Sequence, residues 1–190
     1  ANAHDGSSDL DWAALTKAKA GAWADYTMTL KKPLRNPDGS PVKSFKIRYA
    51  LVEKTDKQMT IETITSTVRG DIIVQLKYVP AGPNAWTISA GKTKLGSQTG
   101  ELTKEEIWAN GGRATNDPKL LGTLAGKESI TTPAGAFECR HYLKTTPFAM
   151  DRWVSDKIAP TGMVKATIES SGIELLLTAT GSDAVAKIPL

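Results

Sequence analysis

Cys139 and His141 stand two residues apart in Phe137-Glu138-Cys139-Arg140-His141-Tyr142, the one place where this chain sets a thiol beside an imidazole. A thiolate activated by a neighbouring imidazole is a nucleophile for acyl transfer. On a strand, residues i and i+2 share one face about 6–7 Å apart, side by side rather than converging on one reacting atom. The plainer reading is a small buried thiol beside a partly exposed ring, and it is the one adopted. The second histidine, His4, lies in a polar N-terminal stretch, leaving no other imidazole for a Ser–His arrangement. A single cysteine excludes an internal disulfide and any multi-cysteine zinc or iron–sulfur site. Two histidines leave no His-rich metal centre, so the chain is expected to carry no cofactor, no metal ligands and no catalytic residues.

Carboxylates do not change this. Glu105 and Glu106 are adjacent and face apart, while Asp151 and Asp156 bracket a strand and its loop, with no aromatic groove tied to either pair as a glycosidase requires. Arg69-Gly70-Asp71 spells an adhesion tripeptide but reads as a β-turn between two strands. No phosphate-binding glycine loop, nucleophile elbow or HExxH helix occurs. The net charge of +4 comes from 24 basic and 20 acidic residues spread along the chain. Neither Lys31, Lys32 and Arg35 nor Lys43, Lys46 and Arg48 is interleaved with stacking aromatics, which argues against nucleic acid. No apolar run reaches the length of a membrane-spanning helix.

The elements that must position these side chains are mostly strands. Threonine, at 22 residues, is unusually common and favours extended structure. Residues 1–8 read as a disordered tail and 9–190 as a single domain. Ser8 is placed to cap one short helix over 9–20, with Gly21 closing it. From Ala24 onward a period of two takes over. It marks strands at 24–30, 45–51, 59–68, 72–79 and 86–90, then at 120–131, 137–145, 150–155, 162–169 and 173–180. Residues 91–112 read as irregular apart from Thr103-Lys104-Glu105-Glu106, whose spacing is that of a capping box opening a short helix to Asn110. Nine to eleven strands joined by hairpin-length turns must pair antiparallel. A meander of that size curls into a half-barrel, an open barrel or a sandwich. The fold expected is mainly β, a long antiparallel meander curled into a half-barrel with a short N-terminal helix and one or two covering helices.

Strand 72–79 is apolar on both faces, with Ile72, Val74, Leu76 and Tyr78 opposite Ile73 and Val79, and strand 173–178 repeats the pattern. A sheet with one wet face alternates cleanly, so the second face is covered by a helix, a loop or a ligand. The candidate lining of an apolar cavity is Phe45, Ile47, Tyr49, Leu51, Val74, Leu76, Trp86 and Ile88.

Two segments together resemble a family. Lys17 to Tyr26, with its Gly21-Ala22-Trp23-Ala24-Asp25-Tyr26, resembles the G-x-W-x-x-Y opening of uncharacterised secreted bacterial proteins. Gly126 to Ile130 and Thr132 to Cys139 resemble their hairpin, and Asp151 to Lys165 resembles their W-V-S-D-x-V-P-x-G-L-V-K segment. Those proteins are similar to the lipoprotein-carrier (LolA/LolB-like) half-barrel superfamily of the bacterial envelope. The resemblance implies a curled antiparallel half-barrel around an apolar cavity with helices as a lid. It departs from a lipoprotein in having no anchor cysteine near residue 1. The function expected is that of an exported, periplasmic or surface-tethered protein that is not an enzyme and binds a lipid, acyl chain or lipoprotein. The alternative is an envelope protein–protein interaction module with a filled core.

Overall fold

The computed structural model describes residues 11–82, 85–109, 113–115, 122–145 and 149–190. The expected disordered tail, with His4 and Ser8, lies outside the described residues. The N-terminal helix is shorter than its sequence pattern: α1 spans Trp12–Lys17, and its N-cap is Asp11, whose carboxylate accepts from the Ala14 amide at 3.1 Å. Asp11 therefore does the capping assigned above to Ser8, because its carboxylate sits three residues before a free amide of the first turn.

After α1 the chain is antiparallel strand. It runs through β1 (Trp23–Arg35), β2 (Pro41–Lys54), β3 (Met59–Thr67), β4 (Gly70–Pro80), β5 (Ala85–Leu95) and β6 (Gln98–Glu101). The helix α2 (Lys104–Ala109) and the short β7 (Arg113–Thr115) follow. The last third is β8 (Thr123–Thr132), β9 (Gly135–Lys144), β10 (Met150–Val154), β11 (Met163–Ile168) and β12 (Ile173–Gly181). The capping box at α2 forms as its spacing predicts: the Thr103 amide donates to Glu106 at 2.7 Å and the Glu106 amide to Thr103 Oγ1 at 3.2 Å. The described part of 91–112 is less irregular than expected. Gly91 interrupts the sequence pattern but not the strand, so β5 continues to Leu95 and pairs with β6 and β7. The expected turn between the two strands is made by Val68 and Arg69, and it is closed where Gly70 pairs with Thr67, whose hydroxyl donates to the Gly70 carbonyl at 2.6 Å.

The sheet is one open, unclosed antiparallel layer in the order β6-β5-β4-β3-β2-β1-β12-β11-β10-β9-β8, with β7 added beside β5. Two meanders thus meet where the first strand pairs with the last, from Trp23 opposite Gly181 to Leu30 opposite Ile173. Strand β8 comes back against β11 and β12, to which it is not hydrogen-bonded, so this end of the sheet is curled. One core cluster gathers Tyr26, Ile47, Trp153, Val164, Leu175 and Leu177. The other lies under the helices, where Leu15 of α1, its C-cap residue Ala18 and Ile107 of α2 pack with Leu51, Met59, Ile61, Leu76 and Ile88.

Candidate functional site

The register of β2 to β5 sorts the helix-bearing face into cross-strand rows. Leu51, Ile61, Leu76 and Gly91 form the first row, Tyr49, Thr63, Val74 and Thr93 the second, and Ile47, Thr65, Ile72 and Leu95 the third. Directly opposed residues share a face, so Phe45, Ile47, Tyr49, Leu51, Val74 and Leu76 all point to one side, joined by Ile88 opposite Tyr78 and Trp86 opposite Pro80. All eight sequence candidates occupy one side of the sheet, but Leu51, Val74, Leu76, Trp86 and Ile88 pack in the cluster under the helices, whereas Ile47 and Tyr49 pack in the cluster around Trp153 and Val164.

They are not equally covered. Leu51 is 0% exposed and Ile47, Leu76 and Ile88 are buried, while Tyr49, Val74, Trp86 and Phe45 are half-buried. Along the third row burial gives out: Ile72 is 41% exposed and Leu95, directly opposite it, 47%. An apolar surface therefore runs from beneath the helices to an uncovered rim. The candidate list above leaves out Leu95, because it stands beyond Gly91.

The seat of α1 is polar at both ends. The Asp11 amide donates to the Thr161 carbonyl at 2.6 Å, and Arg140 lies 3.5 Å from the Asp11 carboxylate. Lys17 pairs with Asp156, and this ammonium holds the Asp156 carboxyl below its ordinary value. At the other end the Lys54 ammonium donates to the carbonyls of Leu15, Thr16 and Ala18 at 2.9, 2.8 and 2.7 Å, satisfying carbonyls the helix terminus leaves open. Burial pushes the Lys54 pKa down. The loop between β10 and β11 supplies the floor, with the Tyr26 hydroxyl bonded to Thr161 and donating to the Met163 carbonyl at 2.6 Å. The two segments that carry the family resemblance are thus brought into contact.

Cys139 and His141 lie on β9, facing away from the row that holds Tyr142 and Arg152. Cys139 is 2% exposed, and its thiol donates to the Phe137 carbonyl. Burial, with the Glu138 and Glu128 charges nearby, pushes its pKa up to about 11. A neutral buried thiol is a poor nucleophile. Labelling by a disulfide reagent at pH 8 is expected to run at least about 100-fold slower in native than in urea-unfolded protein; equal rates would show the thiol to be accessible. His141 is engaged elsewhere: Nε2 lies 2.9 Å from Asp151, the ring stacks on Trp153 at 4.3 Å, and Trp153 Nε1 donates to Glu128 at 2.8 Å. Neither Glu105 with Glu106 nor Asp151 with Asp156 forms a facing carboxylate pair, since Glu106 caps α2, Asp151 holds His141 and Asp156 holds Lys17. Among the described residues no group of three His, Cys, Asp or Glu side chains is placed to hold a metal.

No helix among the described residues is long and apolar enough to cross a membrane. No protein-family model matches the chain, and no curated protein matches it. Of solved structures, a hypothetical protein of Chlamydia trachomatis has 8% identity and a TM-score of 0.52, over 95% of this chain and 96% of that one, and shares the fold. A "putative lipoprotein" of Parabacteroides distasonis has 10% identity and a TM-score of 0.41, over 91% and 98%.

Proposed function

We propose that this protein is a non-enzymatic binder of an apolar ligand, a lipid or acyl chain, on the helix-bearing face of its sheet, acting in the bacterial envelope. The observation that carries the reading is the apolar surface that begins under α1 and ends uncovered at Ile72 and Leu95. Ile72 and Leu95 are paired across the strands and continuous with the buried rows, and it is contiguous exposed apolar surface, rather than a scattered residue, that marks a binding site. The resemblance of the Trp23 and Trp153 segments to secreted bacterial proteins supports the location. The test is organic extraction of the purified protein with mass spectrometry of the extract, followed by titration with N-phenylnaphthylamine. Co-purifying lipid is expected, and Ile72→Lys with Leu95→Lys should weaken probe binding about tenfold, the loss of about 1.4 kcal/mol of apolar contact. An extract without lipid together with a probe affinity unmoved by the double variant would leave the filled-core interaction module as the better account.

A further inference from the structure

Beyond β12 the chain crosses the face opposite the helices as a strap, and the sheet holds that strap by its main chain. The Lys187 amide donates to both carboxylate oxygens of Glu62 at 2.9 Å each, and the Ile188 amide to Glu62 Oε1 at 2.9 Å. The Gln75 side chain donates to Glu62 at 3.0 Å and to the Ile188 carbonyl at 2.8 Å. The Lys92 ammonium reaches the Pro189 carbonyl at 3.0 Å and Lys94 the Lys187 carbonyl at 3.3 Å. Glu62, Gln75 and Lys92 are successive members of one cross-strand row. Within residues 187–189 the side chain that becomes buried is that of Ile188.

Glu62 is 0% exposed. A buried carboxylate is tolerated where donors surround it, and here two of the three groups that supply them are peptide amides of the strap. An acceptor for consecutive amides, donors for the following carbonyls and one apolar socket together read an extended peptide with little regard to its sequence. The strap does not fill the surface available. A groove of about 470 Å³ runs on from Lys187 along Ile64, Ser66 and Asp71 to Lys46.

We infer that this face carries a peptide-docking seat, filled in cis by residues 187–189, which takes an extended segment with a branched apolar side chain from a partner protein when the strap lets go. The seat is separate from the apolar surface under the helices and stands or falls without it.

The test uses the full chain with Ile188→Asp, which keeps the strap but removes its socket residue, and a fluorescein-labelled synthetic peptide of residues 183–190 as the probe. Anisotropy should show the variant binding the peptide at least tenfold more tightly than the wild type, whose own strap competes. Adding Glu62→Gln should then weaken binding at least tenfold. Equal affinities of the folded variant and wild type, or indifference to Glu62→Gln, would overturn the proposal. If Ile188→Asp unfolds the chain, hydrogen exchange of the wild type decides. A releasable strap exposes the Lys187 and Ile188 amides at least tenfold more often than the β3–β4 ladder opens. Exchange of those two amides only with the ladder overturns it equally.

Discussion

Gly162→Val is expected to lift α1 from the sheet at a cost of about 4 kcal/mol, summed from a left-handed backbone, a lost cap and the exposure of Leu15. Gly162 has φ +74°, and a Cβ there would stand 2.4 Å from the Asp11 Cβ and 3.1 Å from the Ala14 Cβ. Asp11 cannot retreat while its amide is bonded to the Thr161 carbonyl and its carboxylate caps the helix. For a chain of this length the melting temperature should fall by about 10 °C, with a matching rise in the fluorescence of an apolar dye at 25 °C as Leu51 and Met59 are uncovered. Gly39→Val is the control, since Gly39 has φ +84° and nothing within 4 Å of an added Cβ. It should carry the backbone penalty alone, about 1–2 kcal/mol. Equal losses for the two variants would mean that α1 is not held through Gly162.

Leu51→Ala is expected to cost about 3 kcal/mol, from the transfer free energy of the lost side chain and the cavity left behind. Leu51 is fully buried, packed with Leu15 of α1 and with Met59 and Ile61 of the neighbouring strand β3. Its amide and carbonyl also bond to Ala22 and Gly21, so the backbone cannot close around a smaller side chain. Ile72→Ala, on the same face but at the exposed rim, should change stability by less than about 0.5 kcal/mol, yet reduce probe binding. The contrast separates scaffold from surface. Were Ile72→Ala to destabilise as Leu51→Ala does, the rim would be covered and the binding reading would lose its support. Denaturant titration of both variants measures it.

Much of the helix-bearing face was legible because a period of two is a physical constraint: Phe45, Ile47, Tyr49 and Leu51 alternate with charged or small residues and do share a side. The capping box at Thr103 was equally legible, its spacing being the geometry itself. Gly91 misled, since the same residue that looks like a break is a strand position kept empty for Leu102, whose Cδ1 would lie 2.5 Å from an added Cβ. The strap left no trace in the sequence. Its amides and carbonyls are what the sheet grips, and every residue but proline carries both. Glu62 reads as one more polar residue in a threonine-laced strand until Lys187 and Ile188 arrive over it. The apolar character of β4 on both sides also becomes intelligible. Ile73 is buried on the face the strap crosses, in register with Lys94, which holds the strap.

The pairing of β1 with β12 sets the order of assembly as well as the shape. Hairpins from β1 to β6 and from β8 to β12 join near neighbours in sequence and close cheaply. The seam between them joins residues about 150 positions apart along the chain, and contacts of that separation are slow to form. A ribosome must deliver β12 before β1 has its second neighbour. Until then the first meander presents β1 as an open edge rich in backbone donors and acceptors, a template for pairing with another chain.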